Sequence, residues 1–147
     1  MRKITACILI IILNACAQND RKADSEPQSG IDAARDFVRA ALDGNYKKAR
    51  TYMLPDSINQ ERMDAVERVN LSPEEKKGLA AASINIHDVD HINDSTTIVI
   101  YSNSYKNNWD TLRVVKDSGK WLVDFNYLFE HGMDSLMDLP PLKDTLQ

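Results

Sequence analysis

The 147-residue chain predicts an α+β fold, with helices first and a four-stranded antiparallel sheet after them. Three observations carry this. Between Ile31 and about Ala82 apolar residues recur at helical spacing among caps and breakers. From Ile84 to Asn126 they fall instead into four β-branched or aromatic runs. The connectors between those runs are so short that neighbouring strands must be antiparallel. Hydrophobic content of 43% and charged content of 27% are ordinary for a globular chain, and the length suits one small domain with a single core.

The first sixteen residues read differently from the rest. Arg2 and Lys3 form a positive n-region, Ile4 to Leu13 is an apolar run, and Leu13-Asn14-Ala15-Cys16 closes it with small residues. As a helix the ten-residue run would rise roughly 15 Å, about half the hydrocarbon thickness of a bilayer, so it predicts an export signal and not a permanent span. The closing tetrad resembles the lipobox of bacterial lipoproteins. The resemblance implies a signal peptide over residues 1–15, lipidation of Cys16 and a mature chain held in the cell envelope, at the outer membrane. Ala15-Cys16-Ala17 also satisfies an A-x-A pattern, so a soluble exported product is the competing reading. Cys7 leaves with the signal on either reading, and the mature chain then has no internal disulfide.

Loss of Arg2 and Lys3 leaves 16 basic against 22 acidic side chains, so net charge moves from −4 to −6. No basic stripe remains to neutralise phosphates, which excludes nucleic acid as an expected partner. Residues 16–30 read as a flexible tether, since Ala17 to Gly30 holds no apolar side chain larger than alanine.

In the first predicted helix Ile31, Ala34, Val38, Ala41 and Leu42 make the apolar stripe, Ser29 with Asp32 can form the start, and Gly44-Asn45 the stop. Tyr46 to Met53 is a second short helix, with Tyr46, Ala49 and Tyr52 or Met53 on one face and Pro55 behind it. Asp56 or Ser57 caps a third, to about Val69, whose apolar positions include Ile58, Met63, Val66 and Val69. Ser72-Pro73-Glu74-Glu75 starts a brief fourth, fading by Gly78 to Ala82.

The strands are expected at Ile84 to Ile92, Thr96 to Asn103, Trp109 to Lys116 and Lys120 to Asn126. Shared faces are read for Ile98 with Ile100, for Leu112 with Val114, and for Trp121, Val123 and Phe125. Ile84 and Ile86 have one parity and Val89 the other, which predicts a bulge near Asp88. The domain is placed at residues 31–129 and a mobile tail at 130–147, with a helical turn near Met133 to Met137.

Phe37-Val38, Asp43-Gly44-Asn45-Tyr46-Lys47-Lys48-Ala49, Val114-Val115-Lys116 and Gly119-Lys120-Trp121-Leu122-Val123-Asp124 together resemble the NTF2-like, cystatin-like superfamily, and within it the DUF4878-type small lipoproteins. The resemblance covers about two-thirds of the chain. It implies N-terminal helices packed on a curved four-stranded sheet as a cone with an apolar pocket. It also implies a non-catalytic domain binding a small apolar ligand or an envelope protein. Members of this fold include isomerases and dehydratases, and others are interaction or assembly modules, so fold alone does not choose among them. Candidate pocket or core residues are Val38, Tyr46, Tyr52, Ile98, Ile100, Leu112, Val114, Trp121 and Val123.

Three motifs bear on chemistry. His87-Asp88-Val89-Asp90-His91 has a metal-like composition, but histidines four apart on a strand stand roughly 13 Å from each other, so no metal site is expected. Asp124, Tyr101, Tyr46 and Tyr52 are the residues that acid–base chemistry could use, although Asp124 alternates with Trp121 and Val123 and so should point away from the core. No nucleophile elbow, phosphate loop or paired-carboxylate spacing is present, and no cofactor is implied. Asp followed by Ser or Thr and then an aliphatic residue or Thr occurs at Ser57, Ser95, Thr111, Ser135 and Thr145, against roughly one such triplet expected from composition. These triplets resemble acceptor motifs of bacterial O-glycosylation, and Asp-Ser and Asp-Thr are equally at home in turns and caps.

Overall fold

The computed structural model describes residues 26–131. Cys16, Ser135, Thr145 and the turn expected near Met133 lie outside the described residues. Helices α1 (Gly30–Leu42), α2 (Tyr46–Thr51), α3 (Ser57–Glu67) and α4 (Pro73–Ala81) precede strands β1 (Ile84–Asn93), β2 (Thr96–Asn103), β3 (Trp109–Asp117) and β4 (Lys120–Asp124), and α5 (Asn126–His131) follows. The strands form one antiparallel open sheet in the order β1-β2-β3-β4. The fold is α+β.

Local chemistry sets the helix ends. Ser29, Asn45, Asp56 and Ser72 each accept a backbone N–H of the first turn through the side chain, and Ser72 with Glu75 completes a capping box. Gly44, at φ +71°, turns the chain out of α1. Ser118 and Gly119, both at positive φ, make the two-residue turn between β3 and β4, whose twist matches the flanking strands.

The core lies between α1 and the inner face of the sheet. Ala33, Ala34, Phe37 and Val38 of α1 meet Val99, Tyr101, Leu112, Val114 and Val123. Phe37, which the expected stripe omitted, is the large buried side chain of α1, while Ile31 is only half-buried. In α3 the order is also shifted: Met63 is buried and Val66 half-buried, but Ile58 is exposed and Asn59 takes the buried place, while Val69, expected at the end of this helix, lies beyond it and is exposed. Residues 52–54 run beside β4, where Val123 N–H donates to the Tyr52 carbonyl at 2.7 Å and Leu54 N–H to the Val123 carbonyl at 2.9 Å.

In β1 the pairing passes from Ile86↔Tyr101 to Asp88↔Ile100, so His87 is the extra residue of a bulge. In β2 the inner residues are Thr97, Val99 and Tyr101; Ile98 and Ile100 share a face as expected, but it is the outer one, where they are half-buried. Both parities of Thr96–Asn103 are apolar enough to face a core, so alternation alone could not choose between them. The fourth strand ends at Asp124, two residues short of the expected Asn126, and the chain continues as α5 into the region read as tail.

A candidate ligand cavity

A cavity of about 270 Å³ lies between the helices and the inner sheet face. Phe37, Val38, Ala41 and Leu42 of α1 form one wall, and Tyr101, Asn103 and Asp110 of the sheet another. Val66, Val69 and Leu71 from α3 and the segment after it, Leu79 of α4, and Leu128 and Phe129 of α5 close the rest. The size approaches the lower bound of about 300 Å³ for small-molecule sites, and the combination of apolar walls with a few convergent polar groups is characteristic of them.

The polar end is organised by strand register. Tyr101 and Asp110 are paired across β2 and β3, which brings the phenol and the carboxylate to the same face. Tyr101 is 7% exposed and lines the cavity beside Asp110. Burial, reinforced by the Asp110 carboxylate, raises its pKa well above the ordinary phenol value. The hydroxyl, protonated at neutral pH as an ordinary phenol also is, is a hydrogen-bond donor among the groups that line the cavity. The Asn103 carboxamide oxygen is already engaged by the backbone N–H groups of Tyr105 (3.2 Å) and Lys106 (2.9 Å), which fixes the turn carrying Lys106 at the cavity rim.

Of the nine pocket or core residues read from the sequence, Val38 and Tyr46 line this cavity. Leu112, Val114 and Val123 are fully buried in the core beside it. Ile98 and Ile100 lie on the opposite sheet face. Tyr52 and Trp121 line a separate, larger and more open cleft of about 610 Å³ with Lys47, Lys48 and Lys120. That cleft is more polar than the inner cavity, which makes it the poorer site for an apolar molecule. Leu128, Phe129 and Asp110 were missed: α5 carried no cap signal, and Asp110 sits at the end of a strand whose inner parity only the register reveals.

The acid–base candidates separate. Tyr101 and Tyr46 line the cavity and Tyr52 does not. Asp124 points to the outer face, as alternation required, yet is 8% exposed there. It accepts from Arg113 Nε at 2.9 Å and also from Arg113 Nη2, with Asn59 Nδ2 at 3.4 Å. The histidines of the metal-like cluster have different partners. His87 Nε2 lies 2.8 Å from Ser102 Oγ and its ring stacks on Trp109 at 4.2 Å, whereas His91 Nδ1 lies 3.1 Å from Thr97 Oγ1.

Ser57 and Ser95 are exposed, and Thr111 is half-buried on β3. Asp56 caps α3, and Asp94 belongs to the β1–β2 turn, where Asn93 Oδ1 accepts from the Ser95 N–H at 2.9 Å. Local structure thus accounts for two of the Asp-Ser pairs. Among the described residues no helix is long and apolar enough to cross a membrane.

Fold and site together define an α+β domain with a mostly apolar internal cavity. No protein-family model matches the chain, and no curated protein or solved structure matches it either.

Proposed function

We propose that this is an envelope lipoprotein, acylated at Cys16, whose NTF2-like cone binds a small apolar ligand without transforming it. The single observation that carries the reading is the cavity of about 270 Å³ with apolar walls and one polar end. The protonated Tyr101 hydroxyl favours a ligand that presents a hydrogen-bond acceptor there, and a polar atom desolvated opposite it without that bond would be penalised by about 1–3 kcal/mol. Titration with a neutral environment-sensitive naphthylamine dye should give saturable binding to wild type. Ala41→Phe, which fills the cavity from α1, should abolish it while leaving the circular dichroism spectrum intact. Absence of saturable binding by wild type, or equal binding by Ala41→Phe, refutes the ligand reading.

The adjacency of Tyr101 and Asp110 supports a second reading, an isomerase or dehydratase in which these two groups act on the ligand. Turnover of a bound ligand that is lost in both Tyr101→Phe and Asp110→Asn would establish it in place of simple binding. The anchor is tested separately: a palmitate analogue should label wild type and not Cys16→Ala, and equal labelling, or none in either, removes the lipoprotein reading. Glycans at Ser57, Ser95, Thr111, Ser135 or Thr145 would appear in the intact mass of exported protein as sugar increments beyond the acyl groups, and a bare polypeptide mass excludes them in that host.

A further inference from the structure

The open cleft of about 610 Å³ is set apart from the ligand cavity by its charge and by its position along the chain. Its rim carries Lys47 and Lys48 from α2 and Lys120 from β4, all exposed, in a chain with net charge −4. Glu26 is the acid among its lining residues and lies 3.0 Å from Lys120; Asp117 sits opposite Lys120 in the β3–β4 register. Two aromatic side chains, Tyr52 and Trp121, stand between the lysines, and Lys116 Nζ lies 5.7 Å from the Trp121 ring centroid. Lysines around partly exposed aromatic rings are the side-chain set that suits the headgroup region of an anionic bilayer.

The position of Glu26 gives this surface an occupant. Glu26, the first described residue, lies in the cleft, ten residues after Cys16. Ten residues can span at most about 35 Å. We infer that the Lys47–Lys48–Lys120 cleft docks the domain on the phosphate headgroups of the membrane that holds its anchor. The inference rests on the proposed acylation of Cys16. Tethering makes the encounter intramolecular, so an attraction of about fivefold in partition per lysine is enough to orient the domain. Docking through this face fixes which side of the domain meets the lipid and which is presented away from it.

The test uses the acylated protein purified from membranes and reconstituted into phosphatidylcholine vesicles with or without about one-third phosphatidylglycerol. Lysine acetylation is read residue by residue by mass spectrometry, with Lys76 and Lys77 of α4 as internal references. Lys47, Lys48 and Lys120 should lose reactivity several-fold on the anionic vesicles alone, and regain it at about 0.5 M salt, where the Debye length falls to about 4 Å. Lys47→Glu/Lys48→Glu should remove the protection at Lys120. Equal reactivity of all three lysines on both vesicles overturns the inference. So does equal protection by inorganic phosphate on neutral vesicles, which would mark a free-anion site. If the intact mass of the protein isolated from membranes shows no acyl group, the anchor reading fails by itself, and that protein is offered to anionic vesicles at low salt. Binding lost in the double variant sustains the docking surface, and no binding overturns it.

Discussion

Arg113 and Asp124 are register partners on β3 and β4, and removing either should destabilise the domain by very different amounts. Asp124 is 8% exposed, whereas the Arg113 side chain is 40% exposed and also lies over the Tyr127 ring, 4.9 Å from its centroid. In Arg113→Ala the carboxylate loses both guanidinium donors, keeps Asn59 Nδ2 at 3.4 Å and opens to water only on the side that Arg113 covered. Asn59 cannot close in freely, because it also donates to Asp56 at 2.6 Å and accepts from the Asn126 N–H at 2.8 Å. Stranding one member of a buried pair costs about 3–5 kcal/mol; the partly open side of this pair places the loss near the lower end, about 3 kcal/mol. In Asp124→Ala the guanidinium can turn to water, so the loss is that of charge-assisted hydrogen bonds alone, about 1.5 kcal/mol. With an m-value of about 1.5 kcal/mol/M in urea, the midpoints should fall by about 2 M and 1 M respectively. The double variant should cost less than the two single losses added, by about 1–2 kcal/mol. Should Asp124→Ala prove as damaging as Arg113→Ala, the enclosed carboxylate is not what makes this pair matter.

Three further outcomes follow from single contacts. The Asp56 carboxyl is held below its ordinary pKa, chiefly by the backbone N–H of Asn59, so its contribution to stability is present above about pH 4 and is lost as pH falls through the lower folded value. Asp56→Asn keeps an N-cap, so its urea midpoint, measured from neutral pH downward, should converge on that of wild type below about pH 4. Gly78 lies inside α4, where alanine is favoured by about 1 kcal/mol, but an added Cβ would stand 2.1 Å from Tyr105 Cε2. Gly78→Ala should therefore gain stability in a Tyr105→Ala background and little or none in wild type, which a double-mutant cycle measures. The Arg39 guanidinium donates to the carbonyls of Ala82 at 2.7 Å, Ala80 at 3.1 Å and Leu79 at 3.3 Å, so Arg39→Ala should speed amide exchange in α4 by about tenfold while leaving α1 unchanged.

What the sequence made legible was the part governed by local rules. The caps at Ser29, Asp56 and Ser72, the bulge beside Asp88 and the four strands all follow from residues within a few positions of one another, whereas Asn45, read only as the stop of α1, also caps α2. Faces were harder. In α3 a conventional apolar stripe would bury Ile58, but the protein buries Asn59 because its carboxamide links the Asp56 cap, Asp124 and the start of α5, a set of partners up to 67 residues away in sequence. The same limit hid the polar end of the cavity. Tyr101 and Asp110 become neighbours through strand register, and α5 folds against β3 without a cap to announce it.

The distribution of buried side chains bears on how a ligand would reach the cavity. α1 buries six residues against the sheet; α3 buries Asn59 and Met63, and α4 buries none. Yet Val66, Val69, Leu71 and Leu79, which close the cavity, come from α3, α4 and the segment between them. The wall with the least apolar burial is therefore the one covering the site, and local opening free energies are lowest where buried apolar contacts are fewest. Arg39, fixed in α1 and bonded to three carbonyls at the end of α4, holds that wall at its far end, so displacement of the α3–α4 segment would open the cavity without unfolding the sheet. A ligand filling the space adds apolar contacts to this wall above all. The sheet and α1 thus hold most of the buried apolar contacts, and α3 and α4, which hold few, are where entry of the proposed ligand would cost least.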